Sequence, residues 1–321
     1  MWTTSGRSAF FLVLQHLKSA GVNHVHLPAY LCESLLLPVK ALGLKYSFYP
    51  VDLSLTAHPN PPHRSAVLLI HYFGWLNPAT SELRKEAGRS FHLIEDACHA
   101  LLSDWSTSSP VERFVLLSPR KFGPLPLGGW CNLPGEPPRA KAEIEILMWR
   151  SLTARLLRGT YLRQPHAPVD PATERFYLSA FQAVDQYLER EVGESGVPAF
   201  IPEMAAALDW GKISRQRRRN WRLLHALLEN RAETLAGALP SATVPLGYPI
   251  LLPAAKRDRV RRVLATQRVF CPVHWPLPVE VSARSFPDAA TLAQRCMTLP
   301  LDQRYDQVDL THLAGFLLKA L

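Results

Sequence analysis

The first half of the chain alternates short apolar runs with longer amphipathic segments. The run at 66–71 is continuously apolar, which is typical of a strand covered on both faces. Ser5 can cap a helix at about 7–18, and Gly21 suits the turn after it. The pattern predicts further strands at 22–27, 45–49, 91–95, 113–117 and 130–133 and further helices at 31–42 and 81–87. Such alternation predicts an α/β fold with helices on both faces of a sheet.

The second half is mainly helical. Its periodicity predicts helices at 141–160, 173–191 and 203–236, separated by proline-containing loops at 165–171 and 198–202. A strand at 242–252, a helix at 254–266, a proline-rich turn at 272–278 and a last helix from about 308 complete the pattern. Pro245 and Pro249 fit poorly inside a strand, so the limits of the 242–252 strand stay open. We expect a large domain at 1–211 and a smaller C-terminal α+β domain at 212–321.

Composition is that of an ordinary globular protein, with 321 residues of which 47% are apolar and 20% charged. No apolar stretch approaches the roughly 20 residues that cross a bilayer. The first residues also lack the basic-then-apolar layout of a secretory signal, so we expect a cytoplasmic location. The five cysteines are scattered without CxxC or Cys/His ligand spacing. We therefore expect no metal site and no disulfide framework.

The net charge is +9, and basic residues cluster at 215–222 and 256–262. Nucleic-acid binding is one interpretation of these clusters. Two solvated helix faces are the other, and the amphipathic pattern around both clusters favours it. A positive field would in either case attract phosphorylated ligands.

Asp96 and Lys121 each follow a predicted strand, at the edge where open α/β sheets bind their ligands. A lysine amine can form a Schiff base with the aldehyde of pyridoxal phosphate (PLP). A carboxylate can keep the pyridine nitrogen protonated, so that the ring accepts electrons. Taken alone, Asp96 also suits a strand-end turn, and Lys121 a solvated loop. The glycine pair Gly128-Gly129 and the prolines around it favour a built loop and hence the PLP site.

Other residues could bind the same cofactor. The helix that opens at Gly6, Arg7 and Ser8 offers unpaired amides and a positive dipole end to a phosphate. Ser118 offers a hydroxyl to the phosphate, and His99 could donate to the phenolic oxygen. Each of these residues also has a common structural role, so each signal is weak by itself.

Five motifs occur in order along nearly the whole chain. They are Gly6-Arg7-Ser8-Ala9-Phe10, Leu27-Pro28-Ala29-Tyr30-Leu31-Cys32, Glu95-Asp96-Ala97-Cys98-His99, the stretch from Ser118 to Gly129, and Leu299-Pro300-Leu301-Asp302-Gln303-Arg304-Tyr305. Together they resemble the motifs of the DegT/DnrJ-type aminotransferases. These are PLP enzymes of fold type I that act mainly on nucleotide-linked keto-sugars.

The resemblance implies a three-layer αβα fold of the PLP-dependent transferase type, with a mostly parallel central sheet. It implies that Lys121 holds PLP, that Asp96 holds its ring nitrogen and that His99 holds its phenolic oxygen. The residues it assigns to the phosphate are Gly6, Arg7, Ser8 and Ser118, and those it places against the ring face are Tyr30 or Cys32. A homodimer is implied as well, because fold-type I sites are generally built at a dimer interface.

Two histidines are further candidates for the border of the substrate site. His71 ends a predicted strand beside the presumed crevice, and His274 lies in a late loop. Packing is the alternative role for both.

The leading hypothesis is therefore a PLP-dependent aminotransferase. It would move an amino group from an amino acid, glutamate in most of the family, to a keto-sugar on a nucleotide carrier, in polysaccharide or secondary-metabolite biosynthesis. Lys121 argues against the dehydratase branch of the family, which has histidine at that place. One alternative is a catalytically silent paralogue with a regulatory or scaffold role, because the chain begins almost at the glycine–arginine turn. A basic nucleic-acid-binding protein is the other alternative.

Overall fold

The computed structural model describes residues 1–104, 113–162 and 170–321. Within these ranges seven strands form the central sheet, in the order β1-β7-β6-β5-β4-β2-β3. The strands are β1 (Trp2–Thr3), β2 (His24–Pro28), β3 (Lys45–Tyr49), β4 (Ser65–Ile70), β5 (Phe91–Asp96), β6 (Arg113–Leu117) and β7 (Gly129–Cys131). Strands β3, β2, β4, β5 and β6 pair in parallel, whereas β7 and β1 are antiparallel additions. The mostly parallel sheet expected from the sequence is confirmed.

The apolar runs of the sequence form the middle of this sheet. All six residues of β4 are buried, as are five of the six in β5. Both strands have neighbours on each side and belong to the main hydrophobic cluster. This burial on both faces explains why their sequences lack the polar alternation of a half-exposed strand.

Helices flank the sheet. They are α1 (Gly6–Ser19), α2 (Leu36–Ala41) and α3 (Thr80–Glu86), with 3₁₀ turns at Glu33–Leu35, Tyr72–Gly74 and Pro119–Lys121. Ser5 caps α1 as predicted, because its side chain accepts a hydrogen bond from the amide of Ser8. Helix α1 packs against β6 and β7, so its N-terminus lies beside the turn that carries Lys121.

The helical middle of the chain contains α4 (Ala142–Leu162), α5 (Pro171–Arg190), α6 (Phe200–Ala206) and α7 (Trp210–Leu228). Helices α4 and α5 pack on each other, and most of the predicted loop at 165–171 lies outside the described residues. The single helix predicted at 203–236 is wrong. Asp209 accepts a hydrogen bond from the amide of Lys212 and starts α7 as a new helix. After Leu228 the chain turns through Asn230, whose φ is 62°.

A second sheet follows, in the order β10-β9-β8, with antiparallel pairing. Its strands are β8 (Glu233–Thr234), β9 (Tyr248–Leu251) and β10 (Cys296–Leu299), and its helices are α8 (Ala254–Thr266), α9 (Pro287–Arg295) and α10 (Gln307–Ala320). The predicted strand at 242–252 is thus much shorter than expected. Residues of this sheet, α7, α8 and α10 share a second hydrophobic cluster. The domain division at 211/212 stays a prediction.

Among the described residues, no helix is both long and apolar enough to cross a membrane. The described residues also contain no group of three or more histidine, cysteine, aspartate or glutamate side chains that could hold a metal ion. All five cysteines are free thiols.

Candidate active site

Asp96 and Lys121 lie at the same edge of the central sheet. Asp96 is the last residue of β5, and Lys121 ends the 3₁₀ turn that follows β6. Since β5 and β6 are parallel neighbours, their carboxyl ends meet. Lys121 lines a cavity of about 770 Å³, whereas Asp96 is 8% exposed and accepts a hydrogen bond of 2.9 Å from the amide of Cys98.

The thiol of Cys98 is affected by the charges of both Asp96 and Lys121. Burial raises the pKa of its thiol well above the usual value, Asp96 raises it further, and Lys121 lowers it. The carboxylate and the amine therefore both lie within electrostatic reach of the same buried sulfur.

His99 lines the cavity together with Lys121. Its side chain is buried, and its Nδ1 atom has no hydrogen-bond partner among the described residues. Burial lowers the His99 pKa well below its ordinary value, and the charge of Lys121 acts in the same direction. The ring is therefore a neutral imidazole with one nitrogen left for a ligand.

His274 reaches the cavity from the loop between α8 and α9. Its Nδ1 atom lies 2.8 Å from the Thr298 hydroxyl, and its ring centroid lies 5.3 Å from that of His99. Burial and the charge of Lys121 lower its pKa to about 4. The adjacent Trp275 stacks on His99, with centroids 5.1 Å apart and planes at 29°. The structure thus brings His274 to Lys121 and His99, and it adds Trp275, which the sequence did not single out.

The N-terminus of α1 approaches this region closely because two glycines allow it. A Cβ atom on Gly6 would lie 2.8 Å from the sulfur of Cys98 and 3.8 Å from the Cβ of Ser118. A Cβ atom on Gly129 would lie 2.1 Å from the carbonyl of Ser5. The first amides of α1 therefore lie beside Ser118, an arrangement that suits an anion.

Arg7 and Ser8 differ in how far they are already engaged. The Ser8 hydroxyl lies 2.9 Å from that of Thr4 and 3.2 Å from that of Ser5. Arg7 donates from Nη1 to the carbonyl of Glu189 at 3.1 Å, whereas its buried Nε has no hydrogen-bond partner among the described residues. Arg7 thus keeps a donor for a ligand, while Ser8 completes the helix cap.

Tyr30 and Cys32 follow β2 at the same edge of the sheet. Tyr30 is 1% exposed, and its ring lies 5.6 Å from those of Tyr72 and Trp275. The Tyr30 ring therefore packs against Trp275 and Tyr72, and neither face of the ring is exposed to the cavity. Cys32 is partly exposed, and its sulfur lies 3.1 Å from the Ser34 hydroxyl.

His71 is placed differently from the other candidates. It is fully buried, with Nε2 3.1 Å from Glu95 and Nδ1 accepting a hydrogen bond from the amide of Asn77. Both ring nitrogens are thus used inside the protein. This placement fits the alternative role of packing, because Glu95 lies on the opposite face of β5 from Asp96. A substrate contact of His71 stays a prediction.

The cavity wall also contains arginines that the sequence analysis did not assign to a site. Those lining the main cavity are Arg120, Arg158, Arg217, Arg268 and Arg304. Arg217 belongs to the cluster at 215–222, whose amphipathic pattern favours a solvated helix face, but it is only 3% exposed. It donates to Gln303 and to the carbonyls of Pro245 and Leu246. No one-dimensional signal separates such a buried arginine from its solvated neighbours on the same helix.

Comparison with known proteins finds similar structures but no similar sequences among family models or curated proteins. No family model matches the sequence, and no curated protein matches it. The aminotransferase TlmJ from Streptoalloteichus hindustanus has a TM-score of 0.67 at 18% identity, over 100% of this chain and 85% of that one. The sugar aminotransferase CalS13 from Micromonospora echinospora has a TM-score of 0.68 at 15% identity, over 100% and 87%.

A DegT DnrJ EryC1 StrS aminotransferase from Brucella abortus is also similar, with a TM-score of 0.64 at 15% identity over 99% of this chain and 84% of that one. This chain has the fold of the DegT/DnrJ-type sugar aminotransferases. The three-layer, fold-type I architecture implied by the five motifs is thereby confirmed.

Proposed function

We propose that this chain is a PLP-dependent aminotransferase that transfers an amino group from an amino acid to a keto-sugar. The observation that carries the proposal is the convergence of Lys121, Asp96 and His99 at the carboxyl ends of β5 and β6. The shared fold with sugar aminotransferases supports the sugar acceptor.

The residues present fit the cofactor. The Nδ1 of His99, which no group of the described residues contacts by a hydrogen bond, suits the phenolic oxygen of the cofactor, and the carboxylate of Asp96 suits its ring nitrogen. The first amides of α1, which Gly6 brings close to Ser118, suit its phosphate. The Nε of Arg7, which has no partner among the described residues, adds a charged donor. When bound, PLP supplies an electron sink for the bond that is broken at the amino-bearing carbon.

Lys121 would supply the amine that holds the cofactor, and the same amine, when free, would carry the proton taken from the amino-bearing carbon. Its neighbours His99 and His274 do not compete for that proton, because burial keeps both imidazoles neutral. They act as hydrogen-bonding groups instead. Asp96 would keep the pyridine nitrogen of the cofactor protonated from a mostly buried position, where a charge acts strongly.

A nucleotide carrier on the acceptor belongs to the same proposal, as do glutamate as amino donor and a role in polysaccharide or secondary-metabolite biosynthesis. The arginines of the cavity wall support a negatively charged substrate. A homodimer, a cytoplasmic location and the domain division at 211/212 rest on the motif resemblance and the sequence pattern.

The half-reaction tests the activity without knowledge of the acceptor. Cofactor-loaded protein mixed with glutamate should release one equivalent of 2-oxoglutarate per subunit and then stop. Lys121→Ala should release none, whereas Lys141→Ala, at an exposed lysine on the surface, should behave as the parent. If no amino donor yields its keto acid, the catalytically silent paralogue is the better description.

A further inference from the structure

We propose that a side chamber next to Lys121 is a second anion subsite, which binds a phosphate or diphosphate group of the acceptor through Arg155 and Arg158. The chamber has a volume of about 460 Å³ and adjoins the main cavity. Six residues line both spaces: Arg120, Lys121, Arg158, Arg217, Asp302 and Arg304. The link to the acceptor rests on the proposed function, but the existence of the subsite does not.

The walls of the chamber come from α4, α5, α7, the loop that carries Lys121 and the stretch 302–304. Helices α4 and α5 contribute Arg155, Arg158 and Phe181, and the loop after Lys121 contributes its glycine and proline. A group bound here would therefore lie to one side of the lysine, away from His274 and Thr298, which line the main cavity but not the chamber.

Charge is the first argument for an anion. Arg304 is already paired with Asp302 through two hydrogen bonds of 2.8 Å. Arg120, Arg155 and Arg158, by contrast, form no ion pair within the described residues. The Nε atoms of Arg120 and Arg155 are moreover buried without a hydrogen-bond partner in that part of the chain. Unused buried donors of this kind are rare unless a ligand satisfies them.

Mutual repulsion is the second argument. Burial lowers the pKa of Arg155 to about 10, and the charges of Arg120 and Arg158 act in the same direction. Asp185 opposes this effect, but it is a single exposed carboxylate that also serves Arg120. Three guanidinium groups near one carboxylate leave two positive charges uncompensated, and a dianion would balance them.

Geometry favours phosphate over other anions. Arg155 and Arg158 both lie over the ring of Phe181, with their central carbons 5.4 and 6.0 Å from its centroid. This contact restrains the two planar guanidinium groups next to each other. Arginine forks match the oxygen spacing of phosphate, so a restrained pair suits a diphosphate.

The subsite is tested by calorimetric titration of pyrophosphate into the cofactor-loaded protein. We expect one site per subunit, with the dissociation constant raised about tenfold or more by Arg155→Gln and by Arg158→Gln. Arg150→Gln is the matched control, since Arg150 is exposed on the same helix. It should leave the dissociation constant unchanged. Thermal melting of each variant shows whether it is folded, and raised salt should weaken binding in the parent.

Several results would overturn the subsite. These are no pyrophosphate binding, equal effects of the Arg150 and Arg155 variants, or malonate binding as tightly as pyrophosphate. A loss caused by Arg7→Gln but not by Arg155→Gln would place the anion at the α1 N-terminus instead, which also contradicts the proposal. Release of 2-oxoglutarate from glutamate without pyrophosphate binding would reject only the subsite. Pyrophosphate binding without that release would reject only the aminotransferase.

Discussion

At the scale of single residues, two neighbours in β5 have different roles: Glu95 stabilises the fold, and Asp96 faces the proposed cofactor site. Successive side chains of β5 point to opposite faces of the sheet. Glu95 is fully buried and accepts two hydrogen bonds of 2.7 Å from Arg84 and one of 3.1 Å from His71. Asp96 is directed towards the region of Cys98 and Lys121. The carboxylate that we assign to the cofactor therefore lies on a strand whose opposite face is stabilised by the ion cluster of Glu95, Arg84 and His71.

Glu95→Gln should lower the free energy of unfolding by about 3–5 kcal/mol, because it removes the negative charge from a buried cluster in which Arg84, Arg113 and His71 all contact Glu95. Urea denaturation measures this loss. Glu82→Gln, at an exposed position of α3, is the control and should stay within about 0.5 kcal/mol. A loss below about 1 kcal/mol at Glu95 would contradict the role given to the cluster.

The same variant has a pH signature. Burial opposes ionisation of Glu95, but the hydrogen bonds and charges of Arg84 and His71 lower its pKa to about 2 from an ordinary 4.5. A lowered folded-state pKa means that the stabilisation is complete above pH 4.5 and is lost as the pH falls towards 2. The stability difference between parent and Glu95→Gln should therefore shrink by about 2 kcal/mol between pH 6 and pH 3.

At the scale of elements, the placement of α1 depends on the strand it crosses. Gly129 in β7 lies against the backbone that enters α1, so a side chain there would collide with main-chain atoms that cannot rotate away. The glycine pair was visible in the sequence as part of a motif, but its partner was not. The contact joins residues more than a hundred positions apart, and no local pattern reports such a contact.

Gly129→Ala should destabilise the protein by more than about 2 kcal/mol and weaken cofactor binding, since it displaces the helix end beside Ser118. Gly315→Ala is the matched control, because Gly315 lies in α10 with open space around it. The control should stabilise the protein by about 0.5–1 kcal/mol. Equal melting temperatures for the two variants would contradict the close approach.

Other elements show where the sequence pattern was sufficient and where it was not. The strand at 45–49 and the helix at 254–266 were predicted with the bounds that the structure has. The helix predicted at 203–236 failed because its apolar periodicity continues across the cap at Asp209. Strand β10 was not predicted, because four buried residues after a helix give no periodicity of their own.

At the scale of the whole molecule, the C-terminal part closes the crevice that the central sheet opens. Gln303 connects the two parts: its amide donates to the carbonyl of Phe122 at 2.7 Å, and its oxygen accepts from Arg217 at 3.0 Å. Phe122, the residue after Lys121, is thus hydrogen-bonded to a motif residue 181 positions later. The sequence includes 299–305 among the five motifs but gives no role for it. The folded chain shows that Gln303 of this motif contacts the loop that carries Lys121.

Gln303→Ala should slow the glutamate half-reaction by about tenfold, because the loss of both hydrogen bonds loosens the turn that presents Lys121. The rate of 2-oxoglutarate release measures the effect. Gln307→Ala, at an exposed position of α10, should retain the parent rate. An unchanged rate in the Gln303 variant would show that the lysine loop keeps its position without this connection.

The central claim is that Lys121 holds the cofactor, and borohydride trapping followed by peptide mass mapping tests it most directly. Lys121 is the one lysine that lines the cavity among the described residues. We expect the reduced cofactor on the peptide that contains Lys121 and on no other peptide, and we expect no label in Lys121→Ala. A label on a different lysine, or a parent protein that takes up no label after incubation with PLP, would contradict the account.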